Sequence, residues 1–156
     1  MVIISLLLCV LTVFAGFLLN AKFRLFSFKT FIAFSALLIL SVFFGRALNF
    51  YAAVPYWDKF LHFASGFIFA RSGRELYLRL GGSSEKKCLL LCFSLFSAIS
   101  AAALWEIWEF AGDSLFGLSA QNNSLRDTML DITLGSASGL IQILLCFFIY
   151  RFKTKA

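Results

Sequence analysis

Five stretches of this chain, residues 3–19, 28–48, 60–78, 88–110 and 128–150, are mostly apolar and long enough to cross a bilayer. No other feature constrains the fold as tightly. A lipid-facing backbone must satisfy its own hydrogen bonds, which leaves α-helices or a closed barrel. A spanning helix needs about 20 apolar residues and a barrel strand only about 10, so stretches of this length are predicted to be helices. The expected fold class is all-α: a polytopic membrane helix bundle with about five transmembrane helices, forming a single integral membrane domain over residues 1–156. Composition agrees, because 61% of the 156 residues are hydrophobic. A soluble domain of this size has too little interior to bury that much apolar surface. The 21 phenylalanines read as lipid-facing and packing bulk. No positive n-region precedes residue 3, so the first stretch is expected to be an uncleaved helix rather than a signal peptide.

Charge sets the orientation. Lys and Arg collect in cytoplasmic loops. With five spans, one side holds Lys22, Arg24, Lys29, Arg71, Arg74, Arg79, Lys86, Lys87, Arg151, Lys153 and Lys155, and the other holds Arg46, Lys59 and Arg126. The N-terminus is therefore expected outside and the C-terminus in the cytoplasm. The formal charge of +6 needs no nucleic-acid partner. Arg71, Arg74 and Arg79 read first as side chains snorkelling to the interface and second as a lipid-headgroup contact.

The acids sort the opposite way. Only Glu75 and Glu85 fall inside, whereas Asp58, Glu106, Glu109, Asp113, Asp127 and Asp131 fall at the outer ends of the third, fourth and fifth stretches. The spacings Asp58/His62, Glu106/Glu109/Asp113 and Asp127/Asp131 put each set on one helical stripe. Seven ionisable groups can thus face one shallow outer pocket. For Asp58 and Asp127 helix capping is an equally good account, and Ser124-Leu125-Arg126-Asp127 resembles a capping box. Glu106 and Glu109 sit at a helix C-terminus, where the dipole disfavours acids. They need a proton, a cation or a basic side chain, and Arg46, Lys59 and Arg126 are the counter-charges on that side. Trp57, Trp105 and Trp108 read as interfacial anchors.

Carboxylates with one imidazole and no nearby thiol suit a divalent cation such as Mg²⁺, Ca²⁺ or Mn²⁺, with Asp58, His62, Glu106, Glu109 and Asp131 as ligands. Metal-assisted work on an anionic lipid-linked or envelope substrate is chemically reasonable. Whether the chain is an enzyme stays open, and no catalytic residue is assigned. The alternatives are a small ion-coupled transporter or channel, in which the acids form a relay, and a non-catalytic accessory membrane subunit. The cysteines, Cys9, Cys88, Cys92 and Cys146, read as small buried hydrophobes. Gly135-x-x-x-Gly139 with Ser136, Ala137 and Ser138 predicts a small-residue face that packs Asp131 against a neighbouring helix.

These motifs carry a resemblance. Asp58-Lys59-Phe60-Leu61-His62-Phe63 followed by Gly66 resembles the Asp-Lys-x-x-His-Phe opening of VanZ-like membrane proteins. Trp105-Glu106-Ile107-Trp108-Glu109-Phe110 with Asp113 is similar to the Glu-x-x-Glu helix of the YjdF-type uncharacterised inner-membrane family. Asp127-Thr128-Met129-Leu130-Asp131 resembles that family's Asp-Thr-x-x-Asp segment. VanZ-like proteins usually carry Asn where this chain has Gly135 and often Gln where it has Glu109, so the YjdF-type match is closer. The resemblance implies a small, multi-pass protein of the bacterial cytoplasmic (inner) membrane. VanZ-like members are linked to glycopeptide (teicoplanin) resistance, which carries over here only by analogy.

Overall fold

The computed structural model describes residues 2–153. Lys155 lies outside the described residues, as do the side chains of Arg151 and Lys153. All five expected stretches are helical, and there is no strand among the described residues. The helices are α1 (Val2–Phe23), α2 (Phe28–Leu38), a π-helical continuation of α2 (Ile39–Ala47), α3 (Phe50–Ala53), α4 (Trp57–Arg79), α5 (Lys87–Phe116) and α6 (Leu125–Lys153). The chain divides into two compact units, Met1–Leu61 and His62–Ala156.

In the first unit, α1 and α2 form a helical hairpin. Arg24 turns the chain at φ +49°. Asn20 clamps the turn: its Nδ2 donates to the Phe26 carbonyl at 3.1 Å and its Oδ1 accepts from the Phe26 amide at 2.8 Å. Ser27 caps α2 by accepting from the Thr30 amide. The π-helical segment was not expected from sequence. Its wider turn is closed by the Leu48 amide donating five residues back to Phe43. Tyr51 folds onto this segment, its hydroxyl 3.0 Å from Ser41 Oγ and its ring filling the space that a Cβ on Gly45 would occupy.

The second unit holds α4 from His62 onward, α5 and α6. Its packing is inverted relative to a water-soluble bundle. The buried positions of α5 are Leu90, Ser94, Ala98, Ala102 and Glu106, one every four residues. Phe96, Leu104, Ile107, Trp108 and Phe110 point outward. Lipid solvates large apolar groups as well as a protein core does, so helix association relies on small residues that let backbones approach. The geometry obeys that rule. A Cβ on Gly66 of α4 would overlap the Gly135 carbonyl and Ser138 Oγ of α6. A Cβ on Gly135 would lie 2.9 Å from the Ala102 Cβ of α5. Gly73 of α4 packs against Ser97 of α5 in the same way. The small face predicted at Gly135 and Gly139 thus contacts both α4 and α5.

Among the described residues, four helices are both long and apolar enough to cross a membrane: Val2–Phe23, Phe28–Ala47, Lys87–Phe116 and Leu125–Ile149. The third expected stretch, 60–78, forms α4, whose 23 residues span about 34 Å. Its length suffices, but Asp58, Lys59, His62, Arg71, Arg74, Glu75 and Arg79 dilute its apolarity. The cysteine expectation needs correction. Cys9 is buried and Cys146 half-buried, whereas Cys88 and Cys92 are exposed one turn apart on the outward side of α5.

Candidate functional site

The small-residue seams end in charge. The buried stripe of α5 terminates at Glu106, Asp131 lies one turn before Gly135 on α6, and His62 lies one turn before Gly66 on α4. Close approach of the backbones therefore drives these three side chains together. His62, Glu106 and Asp131 are 6%, 3% and 2% exposed. His62 Nε2 stands 3.6 Å from Glu106 Oε1 and 4.0 Å from Asp131 Oδ1. Both separations are too long for hydrogen bonds. Glu106 Oε1 is fully buried and accepts no hydrogen bond.

Glu109 stands at the rim, half-buried, with its Oε1 accepting from Trp105 Nε1 at 2.9 Å. Ligand atoms of His62, Glu106 and Glu109 all lie within 4.8 Å of one another. Two atoms bound to one ion at about 2.0–2.6 Å each are about 3–5 Å apart. The donor set therefore fits a divalent cation in spacing and in chemistry, with hard oxygens and one imidazole. Two carboxylates buried side by side demand compensation, which can be a proton, a charged His62 or a metal ion.

Asp113 and Asp127 have other tasks. Asp113 does not join the cluster. Gly117 ends α5 at φ +64°, and the returning chain delivers the Ala120 and Gln121 amides to Asp113 Oδ1 and Oδ2 at 2.8 and 3.0 Å. Asp127 belongs to the start of α6. Its amide donates to Ser124 Oγ at 3.2 Å and its Oδ2 accepts from Asn122 Nδ2 at 2.9 Å. That is one half of the capping box, with Asn122 replacing the reciprocal bond. Asp58 stands one turn before His62 on α4 and pairs with Lys59 at 3.1 Å. Arg46 and Arg126 are exposed and form no ion pair among the described residues. His62 is the basic side chain that stands near both Glu106 and Asp131.

Sequence reasoning missed Gln121. Held by Asp113, it folds back from the α5–α6 connection and its Nε2 donates to both the carbonyl oxygen and Oε2 of Glu106, each at 3.1 Å. It occupies one carboxylate oxygen and leaves Oε1 aimed at His62. Nothing in its local sequence marks this role, because the partner is fifteen residues upstream.

Comparison with known proteins agrees with a multi-pass membrane protein. An uncharacterized protein of Thermotoga maritima is 27% identical over 114 residues, covering 70% of this chain and 56% of the relative. The chain thus spans little more than half the length of that relative. No solved structure matches the chain. The family model described as "Predicted membrane protein (DUF2238)" matches residues 1–152, and the chain belongs to that family.

Proposed function

We propose that this membrane protein holds a divalent cation at His62, Glu106 and Asp131, with Glu109 at the rim, and uses it to engage an anionic lipid-linked or envelope substrate. The observation that carries this reading is the convergence of one imidazole and two buried carboxylates from three successive helices, with His62 Nε2 standing 3.6 Å from Glu106 Oε1 and 4.0 Å from Asp131 Oδ1. Intramembrane ionisable groups are expensive to bury and mark functional sites by default. The charge sort supports an outward-facing site, with the N-terminus outside and α4 as a fifth span. These residues lie on the motifs that resemble YjdF-type and VanZ-like proteins, which favours a bacterial inner-membrane setting. When bound, the ion would supply positive charge that polarises a phosphoryl or carbonyl oxygen. Glu109 would orient incoming groups at the open side, and Gln121 would hold Glu106 in place.

The test is metal content and thermal unfolding of the purified chain, with Mn²⁺, Mg²⁺ and Ca²⁺ as probes. Wild type is expected to carry or bind one equivalent and to gain about 3–4 kcal/mol at 100–1,000 times the dissociation constant. Glu106→Gln should abolish that gain. Absence of both metal and thermal shift in wild type would refute the reading. Orientation is checked separately by reporters placed after Tyr51, expected outside, and after Gly82, expected inside.

A further inference from the structure

A second charged feature lies at the other end of the same unit. A cavity of about 70 Å³ is lined by Arg74, Ser84, Lys87, Leu90, Leu91 and Phe147. That volume is several times what one water needs. Arg74 is twelve residues beyond His62 on α4, and Phe147 is sixteen beyond Asp131 on α6, which puts the cavity about 18–24 Å from the His–carboxylate cluster.

We propose that this cavity binds the phosphate headgroup of an anionic phospholipid. Its polar wall is cationic. Arg74 Nε is fully buried, and Lys87 is the first residue of α5. That helix N-terminus has no side-chain cap, so its positive dipole end faces a ligand unopposed by a capping side chain. Ser84 adds a hydroxyl. The other wall is apolar and graded: Leu90 is buried, Leu91 half-buried and Phe147 exposed. A headgroup between Arg74 and Lys87 would therefore run its acyl chain outward along Leu91 and Phe147 into the bilayer. A soluble anion would use only the polar wall. The neighbouring Arg71 pairs with Glu75 at 3.2 Å. Of the three arginines considered from sequence, only Arg74 lines the cavity, and its partner Lys87 comes from the next helix.

The experiment titrates the purified full chain in detergent with short-chain phosphatidylglycerol, phosphatidylcholine of the same chain length, and inorganic phosphate. Phosphatidylglycerol is expected to bind saturably with one site, at least tenfold tighter than either of the others. Arg74→Gln and Lys87→Gln should each weaken it about fivefold, and together about 30-fold. Arg74→Lys should keep most of the affinity, and Arg79→Gln, an exposed charge on the same side, should keep all of it. Lys87 is exposed, so its variant carries the test should Arg74→Gln fail to fold. Equal binding of phosphatidylcholine would overturn the proposal. So would phosphate binding as tightly as the lipid, which makes the site one for soluble anions. An equal loss in Arg79→Gln would also overturn it, by assigning the binding to diffuse surface charge.

Discussion

Gly66→Ala tests whether backbone contact between α4 and α6 holds the second unit together and aligns its buried charges. The scale comes from three helical glycines with different surroundings. At Gly16 an added Cβ would meet the Phe31 ring at 3.6 Å, an ordinary contact. At Gly135 it would lie 2.9 Å from the Ala102 Cβ, so the helices must part by about 0.6–1.1 Å to restore carbon contact at about 3.5–4.0 Å. At Gly66 it would overlap a main-chain carbonyl of α6 and Ser138 Oγ, and no rotamer change can move the carbonyl aside. Overpacking costs about 1–3 kcal/mol, and replacing a mid-helix glycine by alanine returns about 0.5–1 kcal/mol. Gly66→Ala, at the upper end of that clash, should lose about 2 kcal/mol. For a chain of this size that is about 4–8 °C in Tm. Gly135→Ala should fall between it and wild type, and Gly16→Ala should match wild type or gain about 1–4 °C. The assay is thermal unfolding of the purified protein in detergent. Because Gly66 is one turn from His62, the same variant should widen the 4.0 Å gap to Asp131 and weaken Mn²⁺ binding. A Gly66→Ala protein as stable as wild type, or a Gly16→Ala protein as damaged as Gly66→Ala, would refute the close-packing argument.

Three further outcomes rest on named contacts. Gln121→Leu removes both hydrogen bonds onto Glu106, one of them to a carboxylate oxygen, and should lower stability by about 1.5–3 kcal/mol in the same assay. In a Glu106→Ala background the added loss should be much smaller, since the two residues share the interaction. Asp113→Ala releases the Ala120 and Gln121 amides and should speed limited proteolysis within residues 117–124 by about tenfold or more. Among single-cysteine variants, the exposed Cys88 near the start of α5 should react with a maleimide, while the buried Cys9 should not until the protein is denatured.

The helices were legible in the sequence because run length in an apolar solvent leaves few choices. The π-helical turns of Ile39–Ala47 were not, since residues 28–48 read as one continuous apolar helix and the Tyr51 ring that packs on Gly45 comes from beyond that stretch. In the site, His62, Glu106 and Asp131 were legible from helical stripes combined with a charge sort. Asp113 was misjudged because the stripe Glu106/Glu109/Asp113 takes no account of the loop C-terminal to it. α5 runs past residue 110 to Phe116, and the chain reverses at Gly117, so two loop amides claim that carboxylate first. Gln121 was invisible for the complementary reason: a loop residue acquires its role only when the loop folds back. The supposed counter-charges Arg46 and Arg126 illustrate a further limit. Being on the same side as an acid says little about reach, and both remain exposed.

The uneven apolarity of α4 has a consequence for biogenesis. Its His62 finds its partners on α5 and α6, which are made later. Until they arrive, a polar side chain and a glycine-lined face would meet lipid tails that satisfy neither. At about 5–20 residues per second, residues 87–153 take on the order of 3–13 s to synthesise. In the proposed five-span arrangement, α4 would wait in a hydrated or protein-lined vestibule of the insertion machinery and enter the bilayer together with its successors. Integration in that arrangement would be paced by the third long helix, and truncation before α6 should strand α4 outside the lipid.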